Sequence, residues 1–355
     1  GDRVESARKV TALGSDLLGD GVSLANCELS FDATDVSIPG NSSLPVEVSR
    51  SYKVFNRKEY FSDKAFADWD ISLPRISSIH VTDWTSQVPG KRCSVSSVYE
   101  ARPQGSGLFS ANTFWQGNHI SIPGLGEEEM LVAGSQTPTP GSGGPYPWVT
   151  AGLTRIGCLA SNQNGAGEGF LAITPDGTRY WFNWMAQYHE PALTGEHGAF
   201  QPRRLNALYA TRVEDRFGNV VTYTYDNAWD APVRVTRIKG DDGRTLTLSY
   251  DGSGHVTSVT DGSRTWRYAY AGSTQGRRLA TVTLPDDTQW QIDFAEFTAA
   301  EFEYPVPSLG EIVRSCLQNP LIFGTYTGAM THPSGASVEF TVQIKEHNRS
   351  NVPVS

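Results

Sequence analysis

The chain has 355 residues, with 29 Lys plus Arg against 38 Asp plus Glu and a formal net charge of −9. A chain this acidic lacks the basic face that nucleic-acid phosphates require, and it contains no apolar run of the roughly 18 residues that a membrane-spanning helix needs. Thirty-five Gly, twenty Pro and 11% aromatic residues predict an all-β chain with many turns, not a disordered one.

From the N-terminus, Val4 to Leu18 is expected as a short helix or an irregular arm, and Gly1 to Asp20 has no secretory apolar core. Three explanations stay open: a removed leader, another export route, or a segment of a longer chain. The opening Gly1-Asp2, without an initiator Met, favours the segment. Leu24, Leu29 and Phe31 then begin strands that run to Tyr52, broken at Pro39-Gly40-Asn41, where Pro fixes φ and Gly and Asn accept positive φ. In WDISLPRISSIHV, from Trp69 to Val81, Ile71, Leu73, Ile76 and Ile79 surround Pro74, which suits a strand edge or a bulge. His119 to Pro123 and Glu129 to Val132 are expected as strands about the turn Pro123 to Gly126. Ala133 to Trp148, rich in Gly, Pro, Ser and Thr, is expected as a loop or linker. It sets a soft boundary between an N-terminal β-rich region, residues 1–165, and a repeat-like β-sheet region, residues 166–355.

The second region repeats one grammar. DRFGNVVTYTYD (Asp215 to Asp226), DDGRTLTLSYD (Asp241 to Asp251), DGSRTWRYAY (Asp261 to Tyr270) and LPDDTQWQIDF (Leu284 to Phe294) each place a polar turn before an alternating strand. TPDGTRYWF (Thr174 to Phe182) and HPSGASVEF (His332 to Phe340) are outlying copies. Gly177, Gly218, Gly243, Gly262 and Gly335 stand where a turn needs positive φ. Tyr223, Tyr225, Tyr250, Tyr268 and Tyr270 lie on strands of period two, and Asp226 and Asp251 follow two of them. Gly218 to Gly243 is 25 residues and Gly243 to Gly262 is 19, a period that marks one supersecondary unit copied along the chain. Such a unit buries its apolar face only by stacking on neighbours.

An insertion near residues 295–317 interrupts the pattern, and Ser308 to Glu311 fits a capping box ahead of a short helix. Strands resume from Leu321 to Ile344. Val338, Phe340, Val342 and Ile344 share one apolar face of the last strand, and an open edge there predicts self-association. Cys27, Cys93, Cys158 and Cys316 contain no C-x-x-C pair. Isolated buried thiols are one reading, and one or two disulfides in an exported protein are the other.

No residue set is nominated for catalysis, a cofactor or a metal. His189-Glu190 and Glu196-His197 could ligate zinc, but Pro191 and Gly195 break any helix that would align them, so a polar loop is expected. Glu127, Glu128 and Glu129 point to alternate faces of a strand and are expected as a solvated turn. Gly19 to Gly21 and Gly240 to Gly243 lack the alternating ligands of a calcium loop, and no G-x-S-x-G elbow is present. Trp181, Trp184 and Tyr188 could stack on a glycan if exposed. The competing reading is packing, with Tyr180, Phe182 and Trp184 on one core-facing side.

The pairs Tyr225-Asp226 and Tyr250-Asp251, each with an upstream turn glycine, resemble the YD repeats of the Rhs (rearrangement hotspot) family. The stretch Asp16 to Tyr52 is similar to the segment that precedes those repeats in bacterial members. The resemblance implies a curled sheet forming part of a hollow shell around a C-terminal toxin or effector. The chain is then a non-enzymatic scaffold, exported to the bacterial surface or delivered by a secretion system. Its implied partners are further repeats and the effector of its own longer chain, and a secretion-system component. The family's self-cleaving motif contains an Asp-Pro step, and no Asp-Pro dipeptide occurs in this sequence. A surface carbohydrate-binding module and an unrecognised hydrolase are the alternatives.

Overall fold

Alternating apolar residues build a small N-terminal sheet. Its strands are β1 (Asp20–Val22), β2 (Leu29–Ser37), β3 (Glu47–Lys53) and β4 (Asp70–Ile71), all antiparallel and paired in that order. In β3, Val48, Arg50 and Tyr52 alternate inward. The computed structural model describes residues 18–22, 29–54, 63–81, 84, 90–98, 109–138, 143–194, 200–273, 276–299 and 325–343. The expected N-terminal arm, the helix after Ser308, Cys27, Cys316, Glu196, His197 and Ile344 lie outside them.

The next strands close a barrel. They are β5 (Arg75–His80), β6 (Asn118–Ile122), β7 (Gly126–Val132), β8 (Trp148–Val149), β9 (Arg155–Leu159), β10 (Gly169–Ile173), β11 (Arg179–Thr194) and β12 (Phe200–Glu214), with a one-turn helix, α1 (Ala111–Phe114), before β6. Each pairs antiparallel with the next. Arg204 to Tyr209 of β12 then pair back onto β5, which completes a ring of eight strands. Closure leaves the ring without an edge. Ile76, Ile120, Met130, Ile156, Phe170, Phe182 and Leu208 share the inward face, and all are buried. The loop expected between Ala133 and Trp148 is a hairpin connection inside this barrel, from β7 to β8, and the pairing of β9 with β10 carries one sheet across residue 165.

At β12 the sheet forks. Its first half has β5 as a neighbour, while Arg212 to Glu214 pair with β13 (Val220–Tyr225) on that same side. From there a ladder of hairpins runs outward through β14 (Val235–Gly240), β15 (Thr245–Tyr250), β16 (Val256–Thr260), β17 (Thr265–Ala271), β18 (Arg278–Thr283) and β19 (Gln289–Asp293). A second short helix, α2 (Ala295–Ala299), precedes β20 (Thr325–Thr331) and β21 (Ser337–Gln343). Among the described residues, β21 pairs with β20 alone. The chain is all-β, as its turns and alternation predict, and among the described residues no helix is long and apolar enough to cross a membrane.

The N-terminal sheet covers one face of the ladder. Phe31, Tyr52 and Trp69 pack on Phe294, and Phe66 packs on Tyr268. Gly40 corrects one expectation. Its φ is not positive; it is small because Arg244 of the ladder lies over it, where a Cβ would stand 2.2 Å from Nε. Arg244 donates to the carbonyls of Ile38 and Leu44 and so clamps the β2–β3 turn.

The cysteines divide. Cys93 and Cys158 form a disulfide across 65 residues, so the isolated-thiol reading fails for this pair. Closing a loop of that length stabilises by roughly 4 kcal/mol in the chain-entropy account. The bridge holds residues 90–98 against the barrel, where Glu168 accepts hydrogen bonds from the Cys93 and Ser94 amides and from Lys91. Burial pushes the Glu168 carboxyl up, but these donors prevail and hold it below its ordinary range.

Candidate functional site: the repeat ladder

One turn recurs at seven places among the described residues. In Thr174–Thr178, Asp215–Asn219, Gly240–Arg244, Asp251–His255, Leu284–Thr288, His332–Ala336 and Thr150–Thr154, the first residue's N–H bonds the fifth carbonyl. The fourth N–H returns to the first carbonyl. This is a three-residue hairpin loop whose fourth position must be left-handed. Gly177, Gly218, Gly243, Gly254 and Gly335 fill it, with Asp287 and Leu153 as the two exceptions. Gly262 is also left-handed, in a different turn closed by Asp261 and Arg264. Acidic side chains bind the turns' own amides: Asp215 accepts from Phe217 and Asn219, and Asp251 from Ser253 and His255.

The repeat tyrosines do one job three times. Tyr225, Tyr250 and Tyr270 donate their hydroxyls to the carbonyls of Ala210, Val235 and Val256, each on the preceding strand, at 2.6, 2.8 and 2.6 Å. Burial pushes all three phenols above their ordinary range. Opposite each, the following strand carries a bulge. The register skips Thr236 beside Tyr225, Thr257 beside Tyr250 and Ala280 beside Tyr270. Thr236 and Thr257 turn their hydroxyls onto the carbonyls of Thr224 and Ser249. A bulge bends its strand and adds local twist, and one stands opposite each of these three tyrosines.

The aspartates link each repeat to the next. Arg234 pairs with Asp226 at 3.0 Å and lies 4.8 Å over the ring of Tyr250. Arg277 pairs with Asp251 at 2.5 Å and lies 4.8 Å over the ring of Tyr270. In both, the Asp of one repeat reaches the Tyr of the next through an arginine. The Arg234–Asp226 pair is exposed and contributes about 0–1 kcal/mol, the Arg277–Asp251 pair is part-buried, and a cation over a ring adds roughly 0.5–1 kcal/mol. Tyr223 and Tyr268 lie on the buried face, and Tyr268 donates to Asp35.

Two buried carboxylates fasten the cover to the ladder. Asp35 pairs with the fully buried Arg50, whose guanidinium lies 4.4 Å from the Trp69 ring centroid. Asp68 accepts from the Leu279 amide and the Thr298 hydroxyl. Burial outweighs those two bonds and pushes the Asp68 carboxyl up to about 6. The cover thins along the ladder. The second residue after the turn is fully buried at Leu246 but 38% exposed at Val338. Phe340 remains packed edge-on against Phe31, so the last strand's apolar face is partly occupied and not uniformly open.

The aromatic cluster divides at a bulge. Asn183 is skipped in the β11–β12 register, which turns Trp184 away from Tyr180 and Phe182. Trp184 therefore stacks on Tyr225 and donates to Asn227 in the seam between barrel and ladder. Tyr188 is buried there too, hydrogen-bonded to Tyr209. Trp181 lies earlier on the strand, under Arg179 and Arg212. With Trp184 stacked on Tyr225 and Tyr188 buried, the three rings do not form one open platform. A polar cleft of about 370 Å³ lies beside this seam, where Arg75 is held by Asp70 and the Tyr209 hydroxyl. Its wall also carries Lys53, Lys64, His119 and Glu127. Of the acidic run, Glu128 accepts from Thr150 and the Gly152 amide.

No protein-family model and no curated protein matches the sequence. Among solved structures, the chain is similar to one in the crystal structure of TcdB2-TccC3, with a TM-score of 0.37 and 11% identity over 78% of this chain. The match spans 16% of that larger chain.

Proposed function

We propose that the chain is a structural scaffold without catalytic function, a portion of an Rhs-type YD-repeat shell that encloses or presents an effector. The observation that carries this reading is the relay in which Asp226 and Asp251 reach Tyr250 and Tyr270 through Arg234 and Arg277. It is an interaction between successive repeats, so it gains from every repeat added, as in other repeat arrays. The bulge opposite each tyrosine supplies the curvature that a shell wall needs. The side of β21 that has no partner among the described residues is where a further hairpin would join. The Cys93–Cys158 bridge supports an exported protein, since such bonds persist in oxidising compartments. The partners in this reading are further repeats, the effector they surround and a secretion-system component.

Electron cryo-microscopy of the natural polypeptide that contains this chain tests the proposal. The expected map shows β21 paired with a further hairpin and the curled sheet surrounding a compact domain. A polypeptide in which β21 borders solvent, with nothing enclosed, contradicts it.

A further inference from the structure

Arg155 stands on β9 with its side chain on the face opposite Ile156, which points into the barrel. The residue is 8% exposed. Among the described residues, no hydrogen bond, ion pair or ring contact engages its guanidinium, and Nη1 is enclosed without a partner. Arg50 and Arg244, whose side chains are as deep, are matched by Asp35 and Asp242, and the buried Arg92 by the carbonyls of Glu168 and Ala166. A cation removed from water without a counter-charge is costly to keep.

A second observation lies two residues away. Leu153 occupies the fourth position of the turn Thr150–Thr154, where five of the seven copies use glycine. Its φ is +68°, a strained conformation for a bulky residue, and its side chain is 57% exposed. The strain is therefore not offset by burial. Leu153 and Arg155 line one cleft of about 350 Å³ with Pro138, Ile173 and Thr174. The cross-strand neighbours of Arg155 are Val149 and Ile173, and Leu131 lies beyond Val149. The cleft is thus an apolar rim around one unmatched positive charge.

We propose that this cleft docks a protein segment that presents a single carboxylate beside an apolar side chain. The guanidinium fork matches a carboxylate in a two-bond geometry, and Leu153 supplies the apolar contact that its turn position does not itself require. One positive charge balances a monoanion. A phosphate dianion would carry a second charge into the apolar rim with nothing to balance it. The proposal does not depend on the scaffold reading, because the cleft lies on the closed barrel and not on the ladder.

The test uses the whole chain and follows the Arg155 Nε–Hε resonance, assigned by its loss in Arg155→Met. 4-Methylpentanoate is expected to shift the signal saturably at millimolar concentration. 4-Methylpentanamide is expected to leave it in place, and inorganic phosphate to bind at least tenfold more weakly. Leu153→Gly is expected to weaken the carboxylate several-fold while raising the melting temperature. Arg155→Met is expected to melt no lower than the parent, since it removes an unmatched charge. Four results overturn the proposal: no shift with 4-methylpentanoate, equal binding of the amide, tighter binding of phosphate, or a melting temperature lowered by several degrees in Arg155→Met.

Discussion

In the barrel, β12 returns to β5 and every strand is paired on both sides; in the ladder, β21 pairs with β20 alone among the described residues. Both regions use antiparallel hairpins and the same three-residue turn, at Thr150–Thr154 and Thr174–Thr178 in one and at Asp215–Asn219 onward in the other. The difference lies in what limits their growth. The barrel is finished once its first and last strands meet, and its core is internal. The ladder buries its apolar face against a separate sheet, and its repeats are joined by an Asp–Arg–Tyr contact that has no built-in end. Closure supplies stability at a fixed size, whereas a repeat supplies extension and needs a cover.

The largest effect should come from the fastening of that cover. Asp35→Ala leaves Arg50 buried without its partner, and we expect a loss of about 3–5 kcal/mol. Denaturant unfolding followed by Trp fluorescence measures it. The loss should fall on the ladder and its cover, leaving barrel amides protected from hydrogen exchange. An equal loss of protection in both regions would mean that they unfold as one unit.

Asp68 gives the comparison a pH dependence. Its folded pKa of about 6 lies above the ordinary 3.8, so the folded state binds the proton more tightly than the unfolded state. Its contribution is therefore fully present below about pH 4 and is lost as pH rises through 6, by roughly 3 kcal/mol. Asp68→Asn removes the titration. The stability of the variant relative to the parent should rise by about that amount between pH 3.5 and 7, and a pH-independent difference would place the carboxyl near its ordinary value.

A smaller effect separates the turns from the packing. A Cβ at Gly218 meets nothing within 4 Å, so Gly218→Val tests its φ of +87° alone. We expect a loss of more than about 1 kcal/mol, and an unchanged denaturation midpoint would sink the argument for a shared turn.

The parts of this architecture that the sequence makes legible are the local ones. Turn glycines, strand alternation and repeat tyrosines are set by residues adjacent in the chain, and Gly177, Gly218, Gly243 and Gly335 all stand where the turn requires them. Barrel closure depends on Arg75–His80 meeting Arg204–Tyr209, a pairing that local periodicity does not encode. The bulge at Asn183 shifts Trp184 to the opposite face, and an alternation count cannot register a skipped residue. The arginine relay escapes a motif search because Arg234 precedes the tyrosine it covers while Arg277 follows its own, so no fixed spacing exists. Gly40 reads from the sequence as a positive-φ turn residue, and its actual constraint, the guanidinium of Arg244, is remote in sequence.

Hydrogen–deuterium exchange resolved strand by strand tests the contrast between a closed barrel and an open ladder most directly. The account predicts similar protection for the pairing amides of all eight barrel strands, declining protection from β13 to β21, and the fastest exchange at the β21 amides that point away from β20. Protection of those β21 amides equal to that of β12 would contradict it.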